Sequence, residues 1–305
     1  MPIIEMDAVT KDYGRNRGIF DLSLTVNQGE VYGFVGINGA GKTTTIRHMM
    51  GFLRPGRGHC IIKGMDAWKD AAKIMKHVGY VPGEIAFPAA PTGTEFLRRQ
   101  AELQGVKDMS FANQLIDILQ LDPTANLKRM SKGMKQKTAI VAALMADPEI
   151  LILDEPTTGL DPLMRVSFIE LLNEEKKKGK TIFMSTHLFE EVENTCDTVA
   201  LIKDGSIFAT KATREIRHNE DKQFKIEFLS REGYMLYCMN DYDFVQKRDD
   251  QYQVIVNVND AHINTFMDEL SMYRIKFIRE NKYSLEQYFN EMHGKSLDQE
   301  GGDNV

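Results

Sequence analysis

The sequence predicts an α/β protein with buried parallel strands at its core, and three stretches support that prediction. The apolar run Val31–Val35 leads into a glycine-rich loop, and a helix-forming stretch begins at Thr44. The continuous apolar runs Ile150–Leu153 and Thr181–Met184 are typical of parallel strands that are buried on both faces. Strands of this kind alternate with helix-forming segments along the chain, as expected for an α/β fold.

The chain divides into domains where its composition changes. Residues 1–30 alternate in short strands separated by turns, and a helical segment is expected at about 84–147 between two strand-forming regions. Beyond a first domain over 1–213, the chain becomes more polar and carries no chemical motif. We expect a small α+β domain over 214–294 and a disordered tail over 295–305.

The stretch Gly36–Thr44 matches the phosphate-loop pattern G-x-x-x-x-G-K-[ST] in full, between an expected strand and an expected helix. Glycines let the backbone turn its N–H groups inward, and the N-terminus of the following helix reinforces this anion site. Lys42 would reach the β- and γ-phosphates, and the hydroxyl of Thr43 would bind Mg²⁺. The sequence therefore predicts that the chain binds a nucleoside triphosphate. The candidate residues of the loop are Gly36, Asn38, Gly39, Ala40, Gly41, Lys42, Thr43 and Thr44.

Acidic and histidine side chains follow two of the expected buried strands. Asp154 and Glu155 come directly after Ile150–Leu153, and His187 follows shortly after Thr181–Met184. Because ligands bind at the carboxyl ends of the strands in open α/β sheets, we expect these side chains at the phosphate loop. Asp154 would hold Mg²⁺ through water, Glu155 would orient or deprotonate the attacking water, and His187 would contact the γ-phosphate.

Two further features leave alternatives open. Tyr13 lies in a turn upstream of the phosphate loop, where it is either an ordinary exposed tyrosine or a ring that stacks on the nucleobase. Ser131 is a favoured N-cap residue before the helix-forming stretch 132–146. Lysine and arginine residues crowd this helix start, and they form either a solvated face or a site for phosphate.

Composition and charge narrow the class of protein. The net charge of −6 over 305 residues gives no reason to expect nucleic acid as a partner. Cys60, Cys196 and Cys238 are far apart and show no metal-ligand spacing, so we expect free thiols in the cytosol. No apolar run approaches the ~20 residues of a membrane span, and the first residues alternate like a strand, unlike a signal peptide. Any role at a membrane must therefore depend on a partner.

The order of these motifs resembles the ATP-binding subunit of ABC transporters over about residues 1–215, and the C-terminal part resembles the extension of the multidrug or antibiotic export branch. Met130–Gln136 is similar to the signature motif of that family, Gly159–Pro162 to the loop after the magnesium strand, and His187 to the switch histidine. Tyr13 matches the aromatic residue that stacks on the base. The resemblance implies a P-loop NTPase fold of the ABC type, with a mixed sheet at its core, an N-terminal antiparallel β subdomain and a helical subdomain. It also adds three candidate ATP-binding residues: Ser131, Gly133 and Asp161.

The resemblance further implies that two such subunits, of like or unlike chains, hold ATP and Mg²⁺ between the phosphate loop of one and the signature helix of the other. It implies a separate integral membrane permease, transport in the direction of export, and a location at the cytoplasmic face of the membrane. A soluble ABC-type ATPase that acts on the ribosome or on DNA is the alternative, although such relatives usually carry two cassettes or long coiled-coil insertions. A GTPase is disfavoured because the strand ends offer no Asn-Lys-x-Asp motif for guanine.

Departures from the family pattern affect the expected site. Lys132 stands where the signature motif usually has its first glycine, and a lysine is tolerable there because the position begins a helix with ordinary negative φ. Met134 replaces the usual glutamine of that motif. After the strand Val78–Val81 the family places a glutamine that contacts Mg²⁺, whereas this chain has Gly83. Glu84, one residue later, is the candidate replacement, with a carboxylate that only accepts hydrogen bonds.

Overall fold

The computed structural model describes residues 1–217, 221–281 and 285–289. The chain forms two compact units, Met1–Thr213 and Arg214–Val305. The strands of the first unit are β1 (Pro2–Asp12), β2 (Gly18–Asn27), β3 (Val31–Val35), β4 (Arg57–Ile62), β5 (Met65–Asp66), β6 (Val78–Val81), β7 (Ile150–Asp154), β8 (Thr181–Thr186), β9 (Thr198–Lys203) and β10 (Ser206–Ala212). Its helices are α1 (Lys42–Met49), α2 (Ala71–Ile74), α3 (Gly93–Gln104), α4 (Ser110–Ile118), α5 (Lys132–Leu144), α6 (Pro162–Lys177) and α7 (Phe189–Thr195).

An antiparallel sheet in the order β2-β1-β4-β5 forms the N-terminal part of the first unit. Its strands alternate between buried and exposed side chains, as in β2, where Leu22, Leu24 and Val26 are buried. This buried face shares one hydrophobic core with Ile46 and Met49 of α1, the helix after the phosphate loop. The predicted N-terminal antiparallel β subdomain is therefore confirmed.

The central sheet has six strands in the order β10-β9-β3-β8-β7-β6, of which the edge strand β10 runs antiparallel to its neighbour and the others run parallel. Every residue of β3, β7 and β8 is buried, which explains their continuous apolar sequences. The register pairs Val35 with Thr186 and Asp154 with Ser185. The carboxyl ends of these three strands therefore lie side by side at one edge of the sheet.

The helices between β6 and β7 begin later than the predicted segment 84–147. Residues 84–92 are not helical, because Pro88 and Pro91 lack the backbone N–H groups that a helix interior needs. Thr92 then caps α3 with its side-chain oxygen. Helices α3 and α4 both pack against α5, which also contacts β6. The helical subdomain is present, with an irregular stretch at its start.

Helix α6 begins earlier than the sequence pattern suggests. The sequence predicts a helix over Val166–Lys178, but the helix starts at Pro162. Asp161 caps it by accepting a 3.0 Å hydrogen bond from the backbone N of Met164. Proline is well suited to the first helical position because its missing N–H would have no partner there. The loop that contains Asp161 is consequently short and ends at a capped helix.

The second unit is a small α+β fold. Helix α8 (Thr213–Arg217) leads from the first unit into it. The other elements of the second unit are β11 (Asp221–Phe228), α9 (Arg231–Tyr237), β12 (Asp243–Arg248), β13 (Gln253–Asn259), α10 (Ile263–Leu270) and β14 (Ile275–Asn281). The antiparallel strand order β12-β13-β11-β14 gives a ferredoxin-like topology. Phe224, Ile226 and Val256 of the sheet form one core with Tyr237 of α9 and Phe266 of α10.

The end of the chain is described only in part. Residues 285–289 are helical. The tail predicted at 295–305 lies outside the described residues. In the described part of the chain, we find no helix with the length and apolar character that a membrane crossing requires.

Candidate nucleotide-binding site

The loop between β3 and α1 folds around its own lysine. Gly41, at the N-cap of α1, has a φ of 112°, a conformation that glycine adopts without strain, and the helix starts at the next residue. The Nζ atom of Lys42 donates hydrogen bonds to the carbonyl oxygens of Gly36, at 2.7 Å, and Ile37, at 3.1 Å. The Lys42 side chain is only 5% exposed. Its ammonium group is therefore held on the concave side of the loop, where a phosphate would bind.

Two carboxylates at the end of β7 differ in their surroundings. Asp154 is fully buried, and its Oδ1 accepts a 2.6 Å hydrogen bond from the Oγ of Ser185. Its Oδ2 is buried without a hydrogen-bond partner among the residues that the structure describes. The Oε1 of Glu155 lies 3.2 Å from the Nζ of Lys42, and its Oε2 lies 3.4 Å from the Nδ1 of His187. The fold thus brings together residues from the ends of three strands.

Burial and ion pairing act in opposite directions on the carboxyl group of Glu155. Burial raises its pKa, whereas the charge of Lys42 and the hydrogen bond from its ammonium group lower it, with smaller lowering effects from His187 and Thr158. The lowering prevails, so the pKa of Glu155 lies below its ordinary value. Glu155 is therefore ionised and a weak proton acceptor in this arrangement. Transfer of Lys42 to a phosphate would raise the pKa of Glu155 and make it a stronger base.

The donor groups fit a magnesium ion. Mg²⁺ prefers oxygen ligands, and the candidates are the hydroxyl of Thr43 and the unpartnered Oδ2 of Asp154. Gly83 faces this oxygen, because a Cβ atom at position 83 would lie only 3.0 Å from it. The backbone therefore approaches the candidate metal position without offering a side-chain ligand. The prediction that Glu84 replaces the missing glutamine is not supported, since Glu84 is exposed and it is residue 83 that faces Asp154.

A cavity of about 620 Å³ opens over the phosphate loop. Tyr13 borders it and is 53% exposed, so its ring is available to stack on a base. The other predicted residues in its lining are Asn38, Gly39, Gly41, Lys42, Thr43, Thr44 and Glu155. Gly36 and Ala40 are not part of the lining. The carbonyl oxygen of Gly36 accepts the hydrogen bond from Lys42, and that of Ala40 accepts a 3.0 Å hydrogen bond from the backbone N of Gly205.

Part of the cavity lining was not predicted from the sequence. These residues are Asn16, Arg17, Gly18, Arg47, Asp204 and Gly205. Arg47 lies four residues after Thr43 on α1, and helical spacing could have indicated it. Asp204 and Gly205 belong to the turn between β9 and β10, which reaches the phosphate loop through the hydrogen bond to Ala40. That contact spans most of the first unit, so no local pattern could have indicated it.

A second group of predicted residues lies away from this cavity. Ser131 is exposed at the N-cap of α5, where its Oγ accepts a 3.2 Å hydrogen bond from the backbone N of Met134. A Cβ atom on Gly133 would lie 2.7 Å from the carbonyl oxygen of Gly159, so the start of α5 packs directly on the loop that leads to Asp161. Among the described residues that line the cavity, none comes from either of these two helix starts.

Comparison with known proteins identifies the family. The sequence profile described as ABC transporter matches residues 19–158. An ABC transporter ATP-binding protein of Bacillus subtilis, YhcH, is 31% identical over 304 residues, which cover 97% of this chain and 98% of the relative. The chain belongs to the ABC transporter ATP-binding proteins. The bacitracin transport ATP-binding protein BcrA of Bacillus licheniformis is 36% identical over 208 residues, which cover 67% of this chain and 68% of BcrA.

Solved structures agree with this assignment. The ATP-binding subunit of an ABC transporter is 31% identical and superposes with a TM-score of 0.63, covering 70% of this chain and 92% of that subunit. A dimeric ATP-binding cassette bound to ADP and phosphate has a TM-score of 0.62, covering 70% of this chain and 99% of that one, and at 21% identity it shows the fold alone. The cassette is therefore an ATP-binding, ATP-hydrolysing subunit of an ABC transporter.

Proposed function

We propose that this cassette works as a pair, in which each ATP is held between the phosphate loop of one chain and the start of α5 in the other. The supporting observation is the position of Ser131, which is exposed and lies away from the cavity that contains Lys42. The first N–H groups of a helix have no intrahelical acceptors and carry the positive end of the helix dipole. The start of α5 therefore suits a phosphate, and that phosphate would belong to a nucleotide on a second chain.

The contacts around Glu155 suggest how hydrolysis proceeds. When ATP binds, the ammonium group of Lys42 leaves Glu155 and pairs with the β- and γ-phosphates. Glu155 then orients or deprotonates the attacking water. His187, which lies 3.4 Å from Glu155, contacts the γ-phosphate. Thr43 and Asp154 would hold Mg²⁺, which neutralises charge on the phosphates when bound.

The remaining predicted residues bind the base or face the opposing chain. Tyr13 stacks on adenine at the open side of the cavity. Ser131 and Gly133 of the opposing chain bind the γ-phosphate, and Asp161 lies at the same surface because its loop packs on the start of α5. ATP closes the pair because only a γ-phosphate reaches both chains, and hydrolysis removes that bridge and lets the chains separate.

The pair would drive a separate integral membrane permease at the cytoplasmic face of the membrane. A groove of about 330 Å³ suits a short segment of such a partner. It is lined by the apolar stretch 85–90 and by Leu127, Lys128 and Lys135. The lysines would complement acidic groups at the end of a docking segment. Export is the proposed direction, because the sequence resembles the multidrug or antibiotic export branch; a relative is named for bacitracin transport.

The dimer is tested with the variant Glu155→Gln, which should bind ATP without hydrolysing it. This variant should elute as a dimer in ATP with Mg²⁺ and as a monomer in ADP. Adding Ser131→Ala should abolish the dimer and leave ADP affinity unchanged, whereas the matched change Ser110→Ala, at the start of α4, should affect neither. Substantial steady-state ATPase activity in Glu155→Gln would remove Glu155 from its proposed role. A loss of ADP affinity in Ser131→Ala would place Ser131 in the site of its own chain.

The partner is tested by affinity purification of the chain from detergent-solubilised membranes, followed by mass spectrometry. We expect a polytopic membrane protein in the eluate. Lys128→Glu should reduce its recovery, and Lys107→Glu, an equal change of charge away from the groove, should not. Recovery of the chain with ribosomes or DNA from the soluble fraction, and of no membrane protein, would contradict the proposal.

A further inference from the structure

A buried carboxylate lies behind the histidine of the site. Glu191, on α7, is only 4% exposed, and its Oε2 accepts a 2.8 Å hydrogen bond from the Oγ1 of Thr186. Its Oε1 is buried and has no hydrogen-bond partner among the described residues. A buried carboxylate costs free energy unless its oxygens are well hydrogen-bonded, and glutamine or an apolar residue would be cheaper to bury. The stability of the fold alone therefore does not explain this side chain.

Thr186 connects Glu191 to both sides of the site. It is the last residue of β8 and is 1% exposed. Its carbonyl oxygen accepts a 3.4 Å hydrogen bond from the backbone N of Gly36, at the start of the phosphate loop. Its Oγ1 accepts a 3.0 Å hydrogen bond from the backbone N of Leu188. His187 lies between these two anchored residues, so the Thr186 hydroxyl closes the turn that carries the imidazole.

The direction of the hydroxyl proton determines whether this turn is held. A threonine hydroxyl has one proton to donate and lone pairs that accept. Because the proton goes to Glu191, the lone pairs face the N–H of Leu188. Without an acceptor at position 191, the hydroxyl proton has no fixed direction, and the hydrogen bond that holds the backbone on one side of His187 is weakened.

We propose that Glu191 is a positioning residue: through the Thr186 hydroxyl it holds the imidazole of His187 at Glu155, which lines the cavity. This inference rests on the proposed contact of His187 with the γ-phosphate. Glu191 itself does not touch nucleotide. Its effect should therefore appear in the rate of hydrolysis, which depends on the orientation of His187, and hardly in the binding of ADP, which lacks the γ-phosphate.

The kinetic test uses an acceptor series at both positions in the full chain. Thr186→Val, which is isosteric, and Glu191→Leu should each lower kcat at least tenfold with the KM for ATP within about threefold. Thr186→Ser and Glu191→Gln, which keep the donor and the acceptor, should restore kcat to within about threefold of the parent. Glu190→Leu, at the exposed neighbouring position, is the matched control. Adding Thr186→Val to His187→Ala should cause no further loss, and a further tenfold loss would overturn the proposal.

A second experiment observes the imidazole of His187 directly and does not depend on ATPase activity. In protein with ¹⁵N-labelled histidine, the imidazole signals of His187 are those that His187→Ala removes. They should shift or broaden in Thr186→Val and return toward their original positions in Thr186→Ser. Unchanged signals in Thr186→Val would overturn the proposal. If His187→Ala keeps full kcat, the γ-phosphate role of His187 fails, while the imidazole signals still decide whether Thr186 and Glu191 position the ring. Thr186→Val also decides the question if Glu191→Leu does not fold.

Discussion

Replacing Glu155 by glutamine should strengthen the binding of ADP, although Glu155 is proposed to act in hydrolysis. The reason is competition for one ammonium group. Lys42 pairs with Glu155 at 3.2 Å, and a phosphate in the loop must take that partner away. In the variant the competing charge is gone, so less free energy is spent on releasing Lys42. ADP is the ligand of choice because it lacks the γ-phosphate that would close the pair of chains.

The size of the effect follows from what the variant keeps. The hydrogen bonds from Lys42 to the carbonyl oxygens of Gly36 and Ile37 are unchanged, and the glutamine amide oxygen still accepts a neutral hydrogen bond. Hydrogen bonds to charged groups contribute about 1.5–3 kcal/mol, and a neutral acceptor keeps part of this. We therefore expect a gain of about 1 to 2 kcal/mol, or about 5- to 30-fold in affinity.

Anisotropy of a fluorescent ADP derivative measures this gain, with Glu190→Gln, an exposed neighbour of the site, as the matched control. Because the pKa of Glu155 is lowered, the parent carboxylate stays ionised at neutral pH. The difference between parent and variant should therefore be full at neutral pH. It should begin to shrink as the pH falls through the higher pKa that Glu155 has after Lys42 has moved to the phosphate, and it should vanish below the lowered pKa of the ADP-free protein. An affinity for ADP that is equal or weaker in Glu155→Gln would refute the competition.

Lys180→Met should lower the free energy of unfolding by about 3 kcal/mol, because Lys180 is 7% exposed and pairs with the fully buried carboxylate of Glu175. Lys178→Met removes the half-exposed partner of the same carboxylate and should cost less than about 1 kcal/mol, as urea denaturation can measure. Gly83→Ala should raise several-fold the Mg²⁺ concentration for half-maximal ATP hydrolysis, because the added Cβ would lie 3.0 Å from the Oδ2 of Asp154. The affinity of Gly83→Ala for ADP in the absence of Mg²⁺ should equal that of the parent. An unchanged Mg²⁺ requirement would show that residue 83 does not border the metal.

The parts of the site that could be predicted from the sequence are the residues whose positions are set by the ends of the buried strands. A strand buried on both faces appears as an apolar run, and parallel strands expose their carboxyl ends at one edge. The neighbourhood of Asp154, Glu155 and His187 therefore follows from local patterns once the sheet is expected. The phosphate loop was equally accessible, since its glycines and lysine act within nine consecutive residues.

The parts that could not be predicted depend on angles and on distant contacts. The direction of the backbone at the end of β6 determines which of the following residues faces Asp154. In the structure this residue is Gly83, whereas the sequence spacing also allowed Glu84. The hydrogen bond between Thr186 and Glu191 joins a strand end to the next helix, and the residue types alone do not indicate it. The start of α6 was predicted wrongly for a local reason. The predicted start was Val166, whereas the cap at Asp161 sets the boundary four residues earlier, at Pro162.

The order of the central sheet also determines when the pocket can exist during synthesis. Strand β3, which leads into the phosphate loop, has β8 and β9 as its two neighbours, and Val31 pairs with Ile182. A nascent chain with about 150 residues outside the ribosome therefore carries the whole loop but neither of the strands that flank β3, and pairing over such a separation is slow. Nucleotide cannot guide the early folding of this unit. The newborn protein therefore becomes able to hold ATP only late, after β8 and β9 have been made and have paired with β3.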